Sequence, residues 1–154
     1  MFNHENSQTN VSDTPHVNFL AVGSAAVAAF VFSSLYYSPI GIGNLWRAVD
    51  PASNAGMKPS ILLALSELVR TVAVTYVLAR ILARLGSSDW KEALRLSLWM
   101  WFGFSFLMWI GAIMWENTPW QVAAIHSGDW LAKVIIIALI VSVWRKRSAN
   151  NGNS

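Results

Sequence analysis

Five ionisable side chains sit inside otherwise apolar segments: Glu67, Arg70, His126, Asp129 and Lys133. Glu67 and Arg70 are three residues apart, and His126, Asp129 and Lys133 fall at i, i+3 and i+7, so each set shares one helix face. An isolated charge at a bilayer centre costs on the order of 3 kcal/mol or more, so such groups pair with one another or line a polar path. Two carboxylates and two permanent cations sum to zero, which lowers the cost of burying them together. Three chemistries fit. One is a neutral interhelical network that fixes which helices meet. Another is a proton- or solute-handling site, in which Asp129 or Glu67 titrates and His126 is the relay nearest neutral pH. The third is a metal site from His126, Asp129 and Glu67, opposed by its having only three ligands with Lys133 and Arg70 beside the ion. Lys133 also has snorkelling open to it, from an unusually deep position.

No established catalytic motif accompanies these groups. G-x-S-x-G, a glycine-rich phosphate loop, H-E-x-x-H and spaced Cys/His clusters are all missing, and Gly41-Ile42-Gly43 reads as a turn after Pro39. With no cysteine there is neither a disulfide nor a thiolate metal site. The expectation is a non-enzymatic protein without cofactor or metal.

The elements that must carry these residues follow from composition. The chain has 154 residues, 55% hydrophobic and only 12% charged, with nine tryptophans and a mean hydropathy of +0.42. A soluble domain usually carries about 25% charged residues; half that value describes a surface facing lipid. The net charge of +3 and pI near 9.6 arise from basic residues that flank apolar runs, which points to membrane topology and not to nucleic acid.

Residues 1–17 are a polar tail without Lys or Arg, unlike a secretory signal, and are expected to be disordered. Apolar runs follow at about 18–38, 60–82, 93–115 and 120–144, each long enough for the roughly 20 residues that a helix needs to span hydrocarbon. Pro39 ends the first, residues 40–59 form a loop broken by Pro51, Gly56 and Pro59, and Pro119 separates the third from the fourth. Residues 145–154 are a basic, then polar, tail. Backbone amides in lipid must be paired within the segment, so these runs are helices. The fold expected is all-α, a polytopic membrane protein with four transmembrane helices in a compact bundle over 18–144. The polar first half of the fourth run leaves a re-entrant segment at 120–130 as an alternative.

Seven basic residues lie outside the spans or in their end turns on one side (Arg80, Arg84, Lys91, Arg95, Arg145, Lys146, Arg147) and two on the other (Arg47, Lys58). The positive-inside rule then places both termini in the cytoplasm. Trp90 and Trp144 mark the inner border; Trp46, Trp115 and Trp120 mark the outer one. Glu67 and Asp129 both fall roughly 10–14 Å below the outer ends of their helices, at matching depth. Ala21, Ala25, Ala29 and Ser33 form a small-residue stripe on the first helix, suited to packing within the chain or to a dimer face. On the third, Ser97, Trp101, Ser105 and Trp109 share a face; stacked tryptophans there either fill space or bind an aromatic or cationic ligand.

Tyr37-Ser38-Pro39, followed by Gly43 and Trp46, resembles a signature of small bacterial and fungal membrane proteins, domain-of-unknown-function family 1761. In that family a Glu follows the third helix, as Glu116 does here, and a glycine-bearing helix with a polar start closes the domain, as Gly128 would. The chain departs from the pattern at Ile40-Gly41-Ile42, where bulky apolar residues are commoner. The resemblance implies a compact four-helix membrane domain and carries no activity. The combined expectation is a multi-pass protein of a bacterial inner membrane, structural or accessory in role, with the bilayer and further copies of itself as partners. The alternative is a small proton-coupled transporter or permease subunit using the polar cluster.

Overall fold

A computed structural model describes residues 17–50, 60–85 and 89–151, with side chains described as far as Trp144. The tail 1–16, the breakers Pro51, Gly56 and Pro59, Lys58, and the extreme C-terminus lie outside the described residues. The described residues form five helices: α1 (Phe19–Tyr36), α2 (Gly43–Val49), α3 (Ile61–Arg84), α4 (Trp90–Trp115) and α5 (Trp120–Asn151). Four of them, all but α2, are long and apolar enough to cross a membrane.

Short polar side chains set the starts. Asn18 accepts from the amides of Leu20 and Ala21, Ser60 from that of Leu63, and Asp89 from that of Lys91. The Asp89 cap, with Glu92 in the first turn, opens α4 at Trp90 and not near 93. Two further boundaries differ from the sequence expectation. Residues 43–49, expected in a loop, form α2, because Gly43–Val49 contains no breaker after its first residue and the Trp46 ring docks edge-on to Tyr37 at 5.3 Å. The backbone of α5 continues past Trp144 to Asn151, since no proline or glycine intervenes before Gly152. That helix is unbroken from Trp120. Within α4, residues Trp101–Phe106 wind as a π-helix, a departure that hydropathy does not register.

α5 is the central helix, with α1, α3 and α4 packed around it and α1 also against α3. Ala21, Ala25 and Ala29 are buried, so the small-residue stripe is used for packing inside the chain. The apolar core (Ala25, Leu78, Leu82, Ala93, Ile137, Ala138) occupies the half of the bundle where α1 begins and α3 ends. By contrast the first half of α3 is bare: Ile61, Leu62, Leu65 and Val69 are all exposed.

The turn after α1 is closed by amides that reach back: Ile42 donates to the Tyr36 carbonyl at 2.8 Å and Gly43 to the Ser38 carbonyl at 3.0 Å. A Cβ on Gly43 would lie 2.1 Å from the Tyr37 carbonyl oxygen, whereas one on Gly23 in α1 meets nothing within 4 Å. Thermal unfolding in detergent should therefore separate the two substitutions. Gly43→Ala is expected to destabilise by about 2 kcal/mol or more, through backbone displacement. Gly23→Ala is expected to be neutral or to stabilise by up to about 1 kcal/mol. Equal effects would refute this account of the turn.

Candidate functional site

The ionic residues of α3 and α5 meet. Lys133 Nζ lies 2.7 Å from Glu67 Oε1 and 3.0 Å from Asp129 Oδ2. Glu67 Oε2 in turn binds Arg70 Nη2 at 2.5 Å, and Asp129 Oδ1 accepts from Ser33 Oγ at 2.5 Å. The result is a chain, Ser33–Asp129–Lys133–Glu67–Arg70, running from α1 across α5 to α3. Helical spacing makes two of these links: Glu67–Arg70 at i,i+3 and Asp129–Lys133 at i,i+4. The Glu67–Lys133 and Ser33–Asp129 links are tertiary, and they hold three helices together. Trp130 lies under both cations, 5.3 Å from the Arg70 guanidinium and 5.5 Å from Lys133 Nζ.

The chain is graded in exposure. Asp129 and Lys133 are 2% and 3% exposed, whereas the side chains of Glu67 and Arg70 are 29% and 54% exposed. The free space beside Glu67 and Lys133 amounts to about 10 Å³, room for one water at most. Every buried charge has an opposite partner, which the interior requires.

His126 belongs to a different constellation. Its Nδ1 is 2.7 Å from the Tyr37 hydroxyl, its ring stacks on Trp109 at 4.9 Å, and Trp46 stands edge-on at 6.2 Å. Among the described residues no hydrogen bond joins it to Asp129, so the expected five-residue cluster divides into a four-residue ionic chain and a histidine in an aromatic box. The same residues give the Tyr37-Ser38-Pro39, Gly43 and Trp46 stretch at the end of α1 a structural role. Tyr36 donates to the Ile125 carbonyl at 3.0 Å, and a Cβ on Gly128 would come within 3.0 Å of that hydroxyl. Ser38 Oγ returns to the Leu35 carbonyl, Pro39 and Gly43 shape the turn, and α2 brings Trp46 onto His126. The motif is a clasp between the end of α1 and the polar half of α5. Glu116 lies apart from it, exposed at the C-terminal end of α4, where Asn117 at φ 53° turns the chain toward Pro119.

α4 contributes through the face read from its sequence. Trp101 Nε1 donates to the Ser127 carbonyl at 2.8 Å, Trp109 stacks on His126, and Ser97 and Ser105 are buried. Among the described residues five buried polar atoms have no partner: the indole nitrogens of Trp46 and Trp109 and the hydroxyls of Ser97, Ser105 and Ser127. No three His, Cys, Asp or Glu side chains among the described residues gather as a metal-binding group. The role of Ser33 was hidden in the sequence. It continues the alanine stripe at i+4, and only the register of α1 on α5 shows that its hydroxyl meets a carboxylate.

Because each central member has two partners, a simple exchange of Glu67 and Lys133 would place like charges beside Asp129 and Arg70. Removal is the cleaner test. Lys133→Met leaves a net buried negative charge and is expected to cost about 3–5 kcal/mol. Adding Asp129→Asn restores neutrality and keeps an acceptor for Ser33, so the double variant should be more stable than Lys133→Met alone, as read by thermal unfolding in detergent. Additive losses would remove the pairing from the account.

Comparison with known proteins gives one match. The sequence model of the family described as "Protein of unknown function (DUF1761)" matches residues 20–142. No curated protein and no solved structure matches the chain. The matched segment spans α1 to the apolar half of α5 and includes the clasp, the ionic chain and the aromatic box. On that coverage, the chain belongs to the DUF1761 family.

Proposed function

We propose that this is a multi-pass protein of the bacterial inner membrane, with both ends in the cytoplasm, and that its polar cluster is a lock that selects helix partners. Its role is then structural or accessory and non-catalytic. The observation that carries this reading is the closure of the ionic chain. Asp129 and Lys133 are almost wholly buried, each is paired, and the free space beside Lys133 and Glu67 amounts to about 10 Å³. A conduction path needs water or a transferable proton along its length, and this arrangement favours fixed charges. The burial of Asp129 and Lys133 and the high exposure of the apolar faces of α3 and α4 both suit lipid surroundings, and the seven-to-two distribution of basic residues supports the orientation. The bare first half of α3 is the surface proposed for self-association.

A second reading, a small proton-coupled transporter, draws on one specific feature: Glu67 and Arg70 are partly exposed, which opens one end of the chain. Proteoliposomes distinguish the two. Under the structural reading, proton flux equals that of protein-free vesicles, Asp129→Asn leaves it there, and the variant loses thermal stability. Proton-driven flux that Asp129→Asn abolishes would establish the transport reading instead. Reporter fusions at the two ends should both give cytoplasmic signals; opposite faces would overturn the topology.

A further inference from the structure

α3 and α4 both lean on α5, and between them runs a groove of about 530 Å³, within the range of small-molecule sites. Its walls are apolar: Ala73 and Val77 from α3, Met100, Phe104 and Met108 from α4, and Val134 from α5. Three observations make it more than an apolar seam. Arg70 lines it, its side chain 54% exposed, and a guanidinium with five N–H donors has capacity left after its contact with Glu67. Ser105 lines it too; its hydroxyl is buried and has no partner among the described residues, although Ser24, Ser34 and Thr75 all bond a carbonyl four residues back. Ser105 stands in the π-helical turn, where the regular ladder of carbonyls is displaced. Such turns recur at functional sites.

These groups define an occupant. The polar positions supply donors, so the ligand must carry acceptor oxygens. The chain Asp129–Lys133–Glu67–Arg70 is already neutral, so an anion would leave an uncompensated charge in an apolar setting, and the ligand must be uncharged. Arg70 is nine residues beyond Ile61, about 14 Å along the helix. On the membrane reading, a charged phospholipid head at that depth would carry the cost of burying charge in hydrocarbon. Flat aromatic surfaces, Trp101 and Trp130, also border the space. We propose that the groove binds a lipid-soluble quinone, with ring carbonyl oxygens accepting from Arg70 and Ser105 and the tail lying along Val77, Phe104 and Met108. The proposal rests on the membrane reading above and adds a ligand class to it.

The test uses the full chain purified in detergent, with decylubiquinone as probe and tryptophan fluorescence as readout. Wild type should show saturable quenching. Ala73→Phe, which fills the groove from an exposed position, should abolish the saturable part. Arg70→Lys should weaken binding about tenfold by losing the planar fork, and Ser105→Ala by about three- to tenfold. Laurate, an anion of similar apolar length, should not compete. Circular dichroism on each variant separates loss of binding from loss of fold. Non-saturable quenching in wild type, undiminished binding in Arg70→Lys and Ser105→Ala, or equal competition by laurate would each overturn the assignment. So would cross-links that place a second copy of the chain in the groove. Release of the protein into buffer without detergent would instead count against the membrane reading itself.

Discussion

Lys133 has to satisfy two carboxylates from a position that is 3% exposed, and much of the bundle follows from that requirement. Its ammonium sits 2.7 Å from Glu67 and 3.0 Å from Asp129. The Glu67 contact survives only if α3 and α5 keep their relative height and rotation, whereas the Asp129 contact lies within α5. Asp129 adds the Ser33 hydroxyl, which fixes α1 in the same register. In lipid the apolar faces of helices gain little by meeting one another, since the surrounding tails are as apolar as leucine. On the membrane reading proposed above, hydrogen-bonded charges choose the partners, and close packing of alanines completes the contact. Net stability from such a network is modest, and its value lies in the cost of every wrong arrangement.

The two halves of the bundle divide this labour. Where α1 begins and α3 ends, small and branched apolar residues pack without polar groups. Toward the other end the ionic chain takes over, and beyond it the aromatic box around His126 holds the turn and α2 against α5. Tyr36 and Tyr37, adjacent in sequence, send their hydroxyls to adjacent residues of α5, Ile125 and His126. The short segment near residue 40 is therefore a tertiary device: a stop for one helix that also grips another. The groove between α3 and α4 is left unfilled by this scheme.

Much of this was legible before any coordinates. Apolar runs of sufficient length gave the four long helices, because the pairing of backbone amides in lipid leaves few alternatives. The i,i+3 and i,i+4 spacings and the matching depths of Glu67 and Asp129 brought the ionic residues together. What failed to emerge were features that depend on tertiary register. His126 shares a helix face with Asp129 yet turns to Tyr37 and Trp109, because α2 and the end of α1 arrive on that side. α2 itself was hidden in a segment too short for a hydropathy signal, and its placement depends on Trp46 finding a partner ring. The start of α4 is written in the Asp89 and Glu92 pattern, which lies before the apolar run and has no hydropathy signal. The π-helical turn at Trp101–Phe106 has no composition of its own.

If the ionic chain is sealed between helices, its surroundings must be closed to water-soluble reagents in the native membrane. The absence of native cysteine makes single-cysteine labelling clean. Thr71, buried at 3% exposure beside Glu67 on α3, is the position to replace, with Ser38→Cys, half-buried in the turn that carries the exposed Pro39 and Ile40, as the accessible reference. The account predicts that a membrane-impermeant thiol reagent modifies Ser38→Cys readily and leaves Thr71→Cys unmodified until the protein is denatured. Modification of Thr71→Cys in the intact membrane at a rate comparable to that of Ser38→Cys would mean that water reaches the charges, and the lock would have to be read as a pathway.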